Sequence, residues 1–242
     1  MKYLITGGAG YIGSCVSQFL IDKGHQVIIL DNLSTGLKQN LPKKCKFYKV
    51  DIKNKKRVKK ILKNNKIDVV MHFAAFINNE ESILNPKKYF SNNFSNGKIF
   101  FSLCLENGIN KIIYSSTAAV YGNKSKKVSE KDILKPMSPY PNSKLKLEKY
   151  LEKNKKKISC VILRYFNVAG SDEKLRCGFN INKGYNLILN LCRAVFKNKK
   201  LKINGKNYNT KDGTTIRDFI HVRDLAEIHY KISKLVLSKR VF

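Results

Sequence analysis

The chain has 242 residues, of which 43% are hydrophobic, and its formal net charge at pH 7 is +31. This length allows one large domain, or one domain with a smaller second portion, and a sizeable core. No uninterrupted apolar run reaches the roughly 20 residues of a membrane span, and a strand predicted from residue 2 leaves no room for a signal peptide. Six cysteines lie far apart without a CxxC pair, which argues against a disulfide framework and predicts reduced thiols in a cytoplasmic protein.

The positive charge is carried mostly by lysine. Only 7 of the 48 basic residues are Arg, the residue best suited to bidentate contacts with phosphates and bases. In a helix predicted within residues 53–66, Val58, Ile61 and Leu62 form an apolar stripe together with Ile52, and lysines fill the other positions. We therefore favour a solvated, lysine-rich surface that attracts anionic substrates. Nucleic-acid binding is the alternative that the charge alone suggests.

The first 31 residues contain the most informative pattern. Residues 3–5 predict a buried strand, and the turn that follows has Gly7, Gly10 and Gly13 at a spacing of three. A helix comes next, and Gly24 is its predicted end. The apolar positions of this helix have the i, i+3, i+4, i+7, i+8 spacing and are Ile12, Cys15, Val16, Phe19 and Leu20. Residues 27–30 predict a second strand, which ends at Asp31.

Strand, glycine turn, helix, strand and acid in this order form the fingerprint of a dinucleotide site. Glycines let the backbone amides of a helix N-terminus approach a pyrophosphate, and the helix dipole stabilises its negative charge. Asp31 follows Gly13 by 18 residues. A carboxylate at that place accepts hydrogen bonds from ribose hydroxyls and repels a 2′-phosphate, so the pattern predicts NAD rather than NADP as the cofactor.

The alternation of strands and helices continues along the chain. Further strands are predicted at residues 45–50, 67–75 (with the exit loop), 111–115 and 158–166, and helices at residues 86–106 and 142–157. The inner face of the helix at 86–106 is predicted to carry Phe90, Phe94, Phe101 and Leu105. Such alternation predicts an α/β fold with a Rossmann-like, doubly wound parallel sheet.

Beyond Asn167 the alternation stops. A helix is predicted at residues 187–196, and Asp224 is predicted to cap a last helix at 225–238. We assign residues 1–167 to an NAD-binding Rossmann domain and residues 168–242 to a partial substrate-binding portion, of which 217–242 returns to the Rossmann domain. Residues 240–242 are typical of the start of another strand, which predicts that the chain is truncated or a fragment.

Tyr140 and Lys144 form a YxxxK pattern at the start of a predicted helix. Residues four apart lie on one helix face. A tyrosine phenol has a pKa of about 10, and a neighbouring ammonium group together with an oxidised nicotinamide ring favours its ionised form. A phenolate prepared in this way can remove the proton of a sugar hydroxyl while the carbon gives hydride to the cofactor. After the glycine turn, the pattern predicts a catalytic base.

Several longer motifs extend these two sites almost from end to end: TGGAGYIGS, ILDNLS, HFAA, SNN, SSTAAVYG, SPYxxSK, LRYFNVAG and RDFIHVRDLA. With them the sequence resembles the extended short-chain dehydrogenase/reductase family, and within it the UDP-glucose 4-epimerases. The resemblance implies reversible oxidation at C4 of a UDP-sugar, with UDP-glucose and UDP-galactose as substrates. The 4-keto sugar turns over on its UDP anchor, and no NAD is consumed.

The resemblance also implies roles for individual residues. The implied cofactor contacts are Tyr11 and Ile12 at the pyrophosphate, Asp31 and Asn32 at the adenosine ribose, Asp51 and Ile52 at the adenine, and Phe73, Ala74, Ala75, Asn93 and Phe166 with Tyr140 and Lys144 at the nicotinamide side. Thr117 takes the position of the catalytic hydroxyl that bonds the sugar oxygen. The implied UDP contacts are Asn167, Asn186, Leu187 and Arg217, with Arg217 at the diphosphate.

The same fold also serves other functions. Sugar-nucleotide 4,6-dehydratases carry an acid and a base directly after the active-site Thr, whereas Ala118 and Ala119 follow Thr117 and cannot transfer a proton. Another nucleotide-sugar epimerase or reductase is the closest alternative. A truncated NAD-binding remnant without activity is the second.

The sequence departs from the family pattern at three places. Pro141 follows the predicted base and is expected to push Tyr140 out of the helical region. Residues 171–182 replace the usual Gly-Glu element of the substrate loop, and Ile77 stands where some relatives have Lys. The four histidines share no metal-ligand spacing, so no metal is predicted. The family is often dimeric through helices such as 86–106 and 142–157, so a homodimer is possible.

Overall fold

Six short apolar segments form the central sheet of the computed structural model, which describes residues 1–124, 127–179, 186–201, 203, 205–238 and 241. The strands are β1 (Lys2–Thr6), β2 (Gln26–Asp31), β3 (Lys46–Lys49), β4 (Val69–His72), β5 (Lys111–Ser115) and β6 (Ser159–Leu163). All neighbours in the order β3-β2-β1-β4-β5-β6 are parallel. This is the doubly wound strand order of dinucleotide-binding folds, and it confirms the predicted fold class.

Helices cover both faces of the sheet. The helices of the chain are α1 (Tyr11–Asp22), α2 (Lys55–Lys63), α3 (Asn79–Leu84), α4 (Pro86–Tyr89), α5 (Gly97–Glu106), α6 (Pro139–Lys153), α7 (Leu187–Phe196) and α8 (Val222–Ser238), with a π-helical segment at Phe90–Asn96. Val16 of α1 and Ala226 of α8 pack on one face of the sheet. Val58 of α2, Phe101 of α5 and Leu147 of α6 pack on the other. Both faces of a parallel sheet are thereby kept from water.

The first βαβ unit has the predicted form. Gly24 has a φ of +79° just after the helix cap at Lys23. The Gly24 N–H donates to the Ile21 carbonyl (2.9 Å), and the His25 N–H donates to the Leu20 carbonyl (3.0 Å). These two bonds form a Schellman motif, which satisfies the last carbonyls of α1 and turns the chain into β2.

The region predicted as one helix at residues 86–106 differs from the prediction. A π-helical segment, Phe90–Asn96, joins α4 to α5. Across this segment and its two flanking residues, Tyr89, Asn93 and Gly97 repeat every four residues and are buried, whereas Phe90 and Phe94 are partly buried. The prediction assumed the α-helical repeat of 3.6 residues. The predicted inner face is confirmed for Phe101, which is fully buried, and for Phe94 and Leu105, which are partly buried and pack against the core. Phe90 is half-buried, with the Lys146 ammonium over its ring.

Smaller differences from the prediction concern the ends of helices, single residues and three short elements. Helix α6 begins at Pro139 instead of residue 142 and ends at Lys153. Asp224 lies inside the first turn of α8 and does not cap it. Ile52 is buried but precedes α2. Helix α3 and two short parallel strands, β7 (Asn167–Ala169) and β8 (Phe219–His221), were not predicted.

The strand predicted at residues 240–242 falls largely outside the described residues. Of the three, only Val241 is described. Its carbonyl accepts from the Cys160 N–H of β6 at 2.8 Å, and its N–H donates to the Ser159 hydroxyl at 3.1 Å. Val241 therefore lies at the free edge of β6.

Candidate active site

The glycine turn lies where β1 meets β4. Gly7 has a φ of +72°, and a Cβ on it would lie 2.7 Å from the Ala74 nitrogen. A Cβ on Gly13 would lie 2.4 Å from the Gly7 carbonyl oxygen. The helix N-cap, Gly10, offers no side chain to the first turn of α1. The first amides of α1 therefore have neither intrahelical nor side-chain acceptors, which is the arrangement that binds an anion.

Asp31 is nearly buried at the end of β2. One of its carboxylate oxygens accepts from the Ala9 N–H (3.0 Å) and the other from the Leu33 N–H (2.7 Å). Burial raises the pKa of this carboxyl, and the two backbone bonds partly offset the effect. Since each carboxylate oxygen has two acceptor positions, Asp31 keeps capacity for the two hydroxyls of a ribose.

The residues predicted at the adenosine end lie together at the ends of β2 and β3. The Asn32 amide donates to the Asp51 carboxylate at 2.9 Å, and the same carboxylate accepts from the Lys53 N–H at 2.9 Å. A surface depression of about 370 Å³ is lined by Asn32, Lys49, Val50, Asp51, Lys53, Asn54 and Arg57. Ile52 is buried behind it.

The exit of β4 lies beside the glycine turn. The Ala74 N–H donates to the Thr6 hydroxyl at 3.4 Å, and Phe73 packs against the ring of His229 with centroids 4.9 Å apart. Ala75 follows and is half-buried. The residues predicted for the pyrophosphate and the nicotinamide side therefore lie at one edge of the sheet.

Asn93 connects this edge to helix α6. Its side-chain oxygen accepts from the Phe76 N–H (2.9 Å), and its amide nitrogen donates to the Phe76 carbonyl (2.9 Å) and to the Ser143 hydroxyl (3.1 Å). Asn93 is 1% exposed. Its amide is thus engaged by protein groups, and its contact with the nicotinamide stays a prediction.

Tyr140 lies in the first turn of α6, contrary to the expectation that Pro141 would displace it. Ser138 is the N-cap, so Pro139, Tyr140 and Pro141 are the first three helical residues. Amides in these positions have no intrahelical acceptor, so Pro141 removes no helical bond. The Tyr140 N–H instead donates to the Ser82 hydroxyl at 3.2 Å.

Of the YxxxK pair, Lys144 is buried and Tyr140 is partly buried. Burial raises the pKa of Tyr140, while a side-chain hydrogen bond with Thr117 lowers it. Lys144 is 3% exposed, and burial lowers its pKa to about 7, against the attraction of Glu148. Its Nζ lies 4.8 Å from the ring centre of Tyr114. The structure thus brings the three predicted catalytic residues to the carboxyl edge of β5.

A polar cluster behind Lys144 was not predicted. Glu148 is 3% exposed and forms an ion pair with Arg164, whose Nη2 lies 2.7 Å from the carboxylate. The Ser116 hydroxyl donates to the same carboxylate. Glu148 follows Lys144 by four residues, and this helical spacing could have indicated that the two share a face. Arg164 directly follows β6, and no spacing in the sequence indicates its contact with Glu148.

The residues predicted to bind UDP lie around the small sheet β7–β8. The Asn186 side chain caps α7 by accepting from the Ile188 N–H (2.9 Å) and donates to the Val168 carbonyl (2.9 Å). Asn167 donates to the Asp218 carbonyl at 3.0 Å. The other two predicted UDP contacts, Leu187 and Arg217, are exposed, as is Phe166, which was predicted at the nicotinamide side. These residues share one region, and their contact with a substrate stays a prediction.

The unusual loop after β7 is anchored on α1. Arg176 bridges Asp22 and Asp172, each at 2.7 Å. The Tyr11 hydroxyl donates to the Gly170 carbonyl at 2.6 Å, and its ring packs on Phe179. The end of the loop, residues 180–182, lies outside the described residues. Ile77, the third departure, is 64% exposed.

All six cysteines are free thiols, of which Cys15 and Cys177 have their sulfur atoms 3.4 Å apart. Within the described part of the chain, no helix is long and apolar enough to cross a membrane. The same residues contain no group of three or more His, Cys, Asp or Glu side chains that could hold a metal ion.

Comparison with known proteins identifies the family. The model of the NAD dependent epimerase/dehydratase family matches residues 3–241. The UDP-glucose 4-epimerase of Azospirillum brasilense is 40% identical over 232 residues, which cover 94% of this chain and 67% of that protein. The UDP-glucose 4-epimerase of Lactobacillus helveticus is 39% identical over 233 residues, covering 95% of this chain and 71% of that protein.

Solved structures agree. The UDP-glucose 4-epimerase of Stenotrophomonas maltophila, crystallised with NAD and formylated UDP-arabinopyranose, has a TM-score of 0.94 and 30% identity, covering 100% of this chain and 76% of that one. The enzyme of Brucella ovis in complex with NAD has a TM-score of 0.90 and 32% identity, covering 96% of this chain and 73% of that one. Sequence, fold and the arrangement at the sheet edge lead to one conclusion: the chain belongs to the NAD dependent epimerase/dehydratase family.

Proposed function

We propose that this protein is an NAD-dependent UDP-sugar 4-epimerase that interconverts UDP-glucose and UDP-galactose. The observation that carries the proposal is the convergence of Tyr140, Thr117 and Lys144 at the carboxyl edge of a doubly wound sheet, the edge that also holds the glycine turn after β1. In open α/β sheets this edge, at the point where the strand order reverses, is where ligands bind.

The residues present fit NAD. A side chain on Gly7 or Gly13 would collide with backbone atoms, so the turn keeps its surface free for a pyrophosphate, and the uncapped N-terminus of α1 adds free amides. Asp31 retains acceptor capacity for ribose hydroxyls and opposes a 2′-phosphate. When bound, NAD accepts hydride from the sugar carbon and returns it.

The chain's own residues manage the proton and the position of the sugar. Tyr140 takes the proton of the sugar 4-hydroxyl as a general base and gives it back as a general acid. Thr117 bonds the phenol and orients the sugar oxygen. The Lys144 ammonium favours the phenolate by its positive charge. Burial, which raises the pKa of Tyr140 in the free protein, also strengthens each of these interactions by excluding water.

The proposal includes a UDP anchor and a division of the chain. Asn167, Asn186, Leu187 and Arg217 would hold UDP, with the Arg217 guanidinium at the diphosphate. Residues 1–167 would form the NAD-binding domain and residues 168–242 a partial substrate-binding portion. The packing of α8 against the sheet supports the return of residues 217–242 to the first domain.

A cytoplasmic location and a homodimer complete the proposal. Six free cysteines support a reducing compartment. The adjoining helical segments at residues 86–106 and 142–157 would form the dimer contact. We propose no role for a membrane, nucleic acid or metal.

Product analysis tests the function. The protein with NAD is incubated separately with UDP-glucose, UDP-N-acetylglucosamine and UDP-glucuronate, and the products are separated by chromatography. We expect UDP-galactose from UDP-glucose, without net formation of NADH. Inversion of another sugar alone would replace this substrate assignment, and net cofactor turnover would indicate a reductase. Binding of NAD without any stabilisation by UDP-sugars would indicate a remnant without activity.

A further inference from the structure

Helix α6 carries a third polar residue on the face of Tyr140 and Lys144. Glu148 follows Lys144 by four residues, so the three side chains lie one above another along the helix. Lys144 and Glu148 are each 3% exposed. A buried carboxylate costs much more free energy than an apolar side chain in the same place, so its presence behind the catalytic pair calls for a function.

Arg164 holds this carboxylate in one orientation. Its Nε lies 3.2 and 3.1 Å from the two oxygens of Glu148, and its Nη2 lies 2.7 Å from the second. The Arg164 Nη1 donates to the Tyr121 hydroxyl at 3.1 Å, which fixes the guanidinium from the other side. Ser116 donates a further bond to Glu148. The position of the negative charge is therefore defined by groups on three separate segments.

Groups from two strands and from its own helix lie around Lys144. Strand β4 contributes His72, β5 contributes Tyr114, and α6 contributes Tyr140 and Glu148. Burial lowers the pKa of His72 to about 3, so its ring is neutral at pH 7. Among these four groups Glu148 alone is acidic. In the part of the chain that the structure describes, Lys144 forms no ion pair within 4.0 Å, so Glu148 acts on it through space.

We propose that Glu148 is a positioning residue that keeps Lys144 protonated in the active site, and that the Arg164 guanidinium moderates its effect. The effect on turnover rests on the proposed function; the effect on the charge of Lys144 does not. Tyr140 carries out the proton transfer, and Glu148 acts only through Lys144.

The charge of Lys144 is sensitive to such a partner. Burial lowers the pKa of this ammonium to about 7, close to neutral pH, so its protonation responds to the charges around it. A negative charge within reach favours the protonated form, and its removal favours the neutral amine. Removal of Arg164 should shift the pKa of Lys144 in the opposite direction. The Glu148 carboxylate then lacks its counter-charge and attracts the ammonium more strongly. If Glu148 and Arg164 only stabilised the fold, their removal would not shift the pKa of Lys144 in opposite directions.

The test measures the protonation of Lys144 directly. Lysine is labelled with ¹³C and ¹⁵N in the NAD-loaded protein, and side-chain nitrogen shifts are followed from pH 5 to 11. The signal of Lys144 is identified by its absence from Lys144→Met. It should titrate apart from the other lysines of the chain, because buried and exposed ammonium groups have different midpoints.

Glu148→Gln keeps the shape and removes the charge, and it should lower the Lys144 midpoint by about one pH unit. Arg164→Gln should raise the midpoint. Glu152→Gln is the matched control, since Glu152 is exposed on the same helix, and it should leave the midpoint unchanged. An unchanged midpoint in Glu148→Gln, or a lowered one in Arg164→Gln, would overturn the inference. If Glu148→Gln does not fold, the direction of the Arg164→Gln shift decides.

Kinetics separate this inference from the proposed function. If the protein epimerises UDP-glucose, the alkaline limb of the kcat profile should move to lower pH in Glu148→Gln by about as much as the resonance midpoint. If the protein does not epimerise UDP-glucose, but the Lys144 midpoint still falls in Glu148→Gln and rises in Arg164→Gln, the proposed function is refuted and the inference is supported. If the protein is active, but neither the Lys144 midpoint nor the pH profile of kcat moves in Glu148→Gln, the proposed function is supported and the inference is refuted.

Discussion

Gly13 and Gly24 illustrate how differently two glycines act in one βαβ unit. A Cβ on Gly13 would lie 2.4 Å from the Gly7 carbonyl oxygen, whereas one on Gly24 would meet no atom within 4 Å. Gly24 instead has a φ of +79°, which costs an L-residue free energy wherever it occurs. The first glycine keeps the cofactor turn closed, and the second only ends a helix.

These two positions give a matched pair of variants. Gly13→Ala should weaken NAD binding by about tenfold or more, because the turn must open to relieve the contact (tenfold equals about 1.4 kcal/mol). Gly24→Ala should lower the free energy of unfolding by about 1 kcal/mol and leave the affinity for NAD unchanged. Calorimetric titration with NAD and urea unfolding measure both quantities. Equal NAD affinities in the two variants would contradict this account of the turn.

The residues around the catalytic pair show what a sequence pattern can predict. Tyr140, Lys144 and Thr117 were predicted from a spacing of four and from resemblance, and the structure brings them together. The pairing of Glu148 with Arg164 joins α6 to the chain after β6, and the interval between them in the sequence has no helical or strand period. Contacts between separate elements leave no such period, so this pair was found only in the structure.

At the scale of elements, the π-helical segment Phe90–Asn96 is the main departure from a regular pattern. Such segments are rare and frequently occur at functional sites. Here the segment turns Asn93 inward, where its side chain bonds the Phe76 backbone and the Ser143 hydroxyl of α6. The loop after β4 and the helix of the catalytic pair are thereby fixed to each other.

Asn93→Ala should remove these three bonds, of which the one to Ser143 is buried and the two to Phe76 are partly buried. We expect the free energy of unfolding to fall by about 2–3 kcal/mol, because the Phe76 amide and carbonyl and the Ser143 hydroxyl would lose a partner. Asn96→Ala, at the end of the same segment, is the control and should cost less than about 1 kcal/mol. Urea unfolding of both variants measures the difference. Equal stabilities would show that Asn93 does not fix the two elements.

Helices and strands were predicted correctly where the hydrophobic pattern extends over several residues, and they were missed where an element is too short to show one. The strands of the sheet and helices α1, α2 and α7 follow the predicted positions closely. Strands β7 and β8 have three residues each, too few to show alternation. The start of α6 was misplaced because Pro141 was read as a helix boundary, although proline is tolerated in the first turn.

For the whole molecule, a net charge of +31 remains after the 17 acidic residues are subtracted from the 48 basic ones. Several of its ion pairs are exposed, such as Lys59 with Glu106 and Arg223 with Glu173. Helix α2 begins with Lys55 and Lys56 and has no acid in its first turn, where the helix dipole is positive. The folded chain therefore repels itself more than the expanded chain does.

Added salt should consequently stabilise the protein. We expect its melting temperature to rise by about 2–5 °C between 20 and 300 mM NaCl, because ions screen repulsion beyond about 10 Å. The double variant with Lys55→Gln and Lys56→Gln should have a higher melting temperature than the unmodified protein at 20 mM NaCl. The two proteins should have nearly the same melting temperature at 300 mM NaCl. A melting temperature that falls with salt, or a constant gap between the two proteins, would contradict this description. A specific, strongly salt-dependent complex with RNA or DNA would instead favour nucleic-acid binding.

The most direct test of the central claim is the turnover of UDP-glucose by Tyr140→Phe. This variant loses one hydroxyl, and kcat should fall by at least about 100-fold while NAD still binds. Tyr150→Phe is the matched control on α6, where the hydroxyl bonds only Ser102 among the described residues, and it should keep its activity. Undiminished epimerisation by Tyr140→Phe would show that this phenol is not the base and would contradict the account.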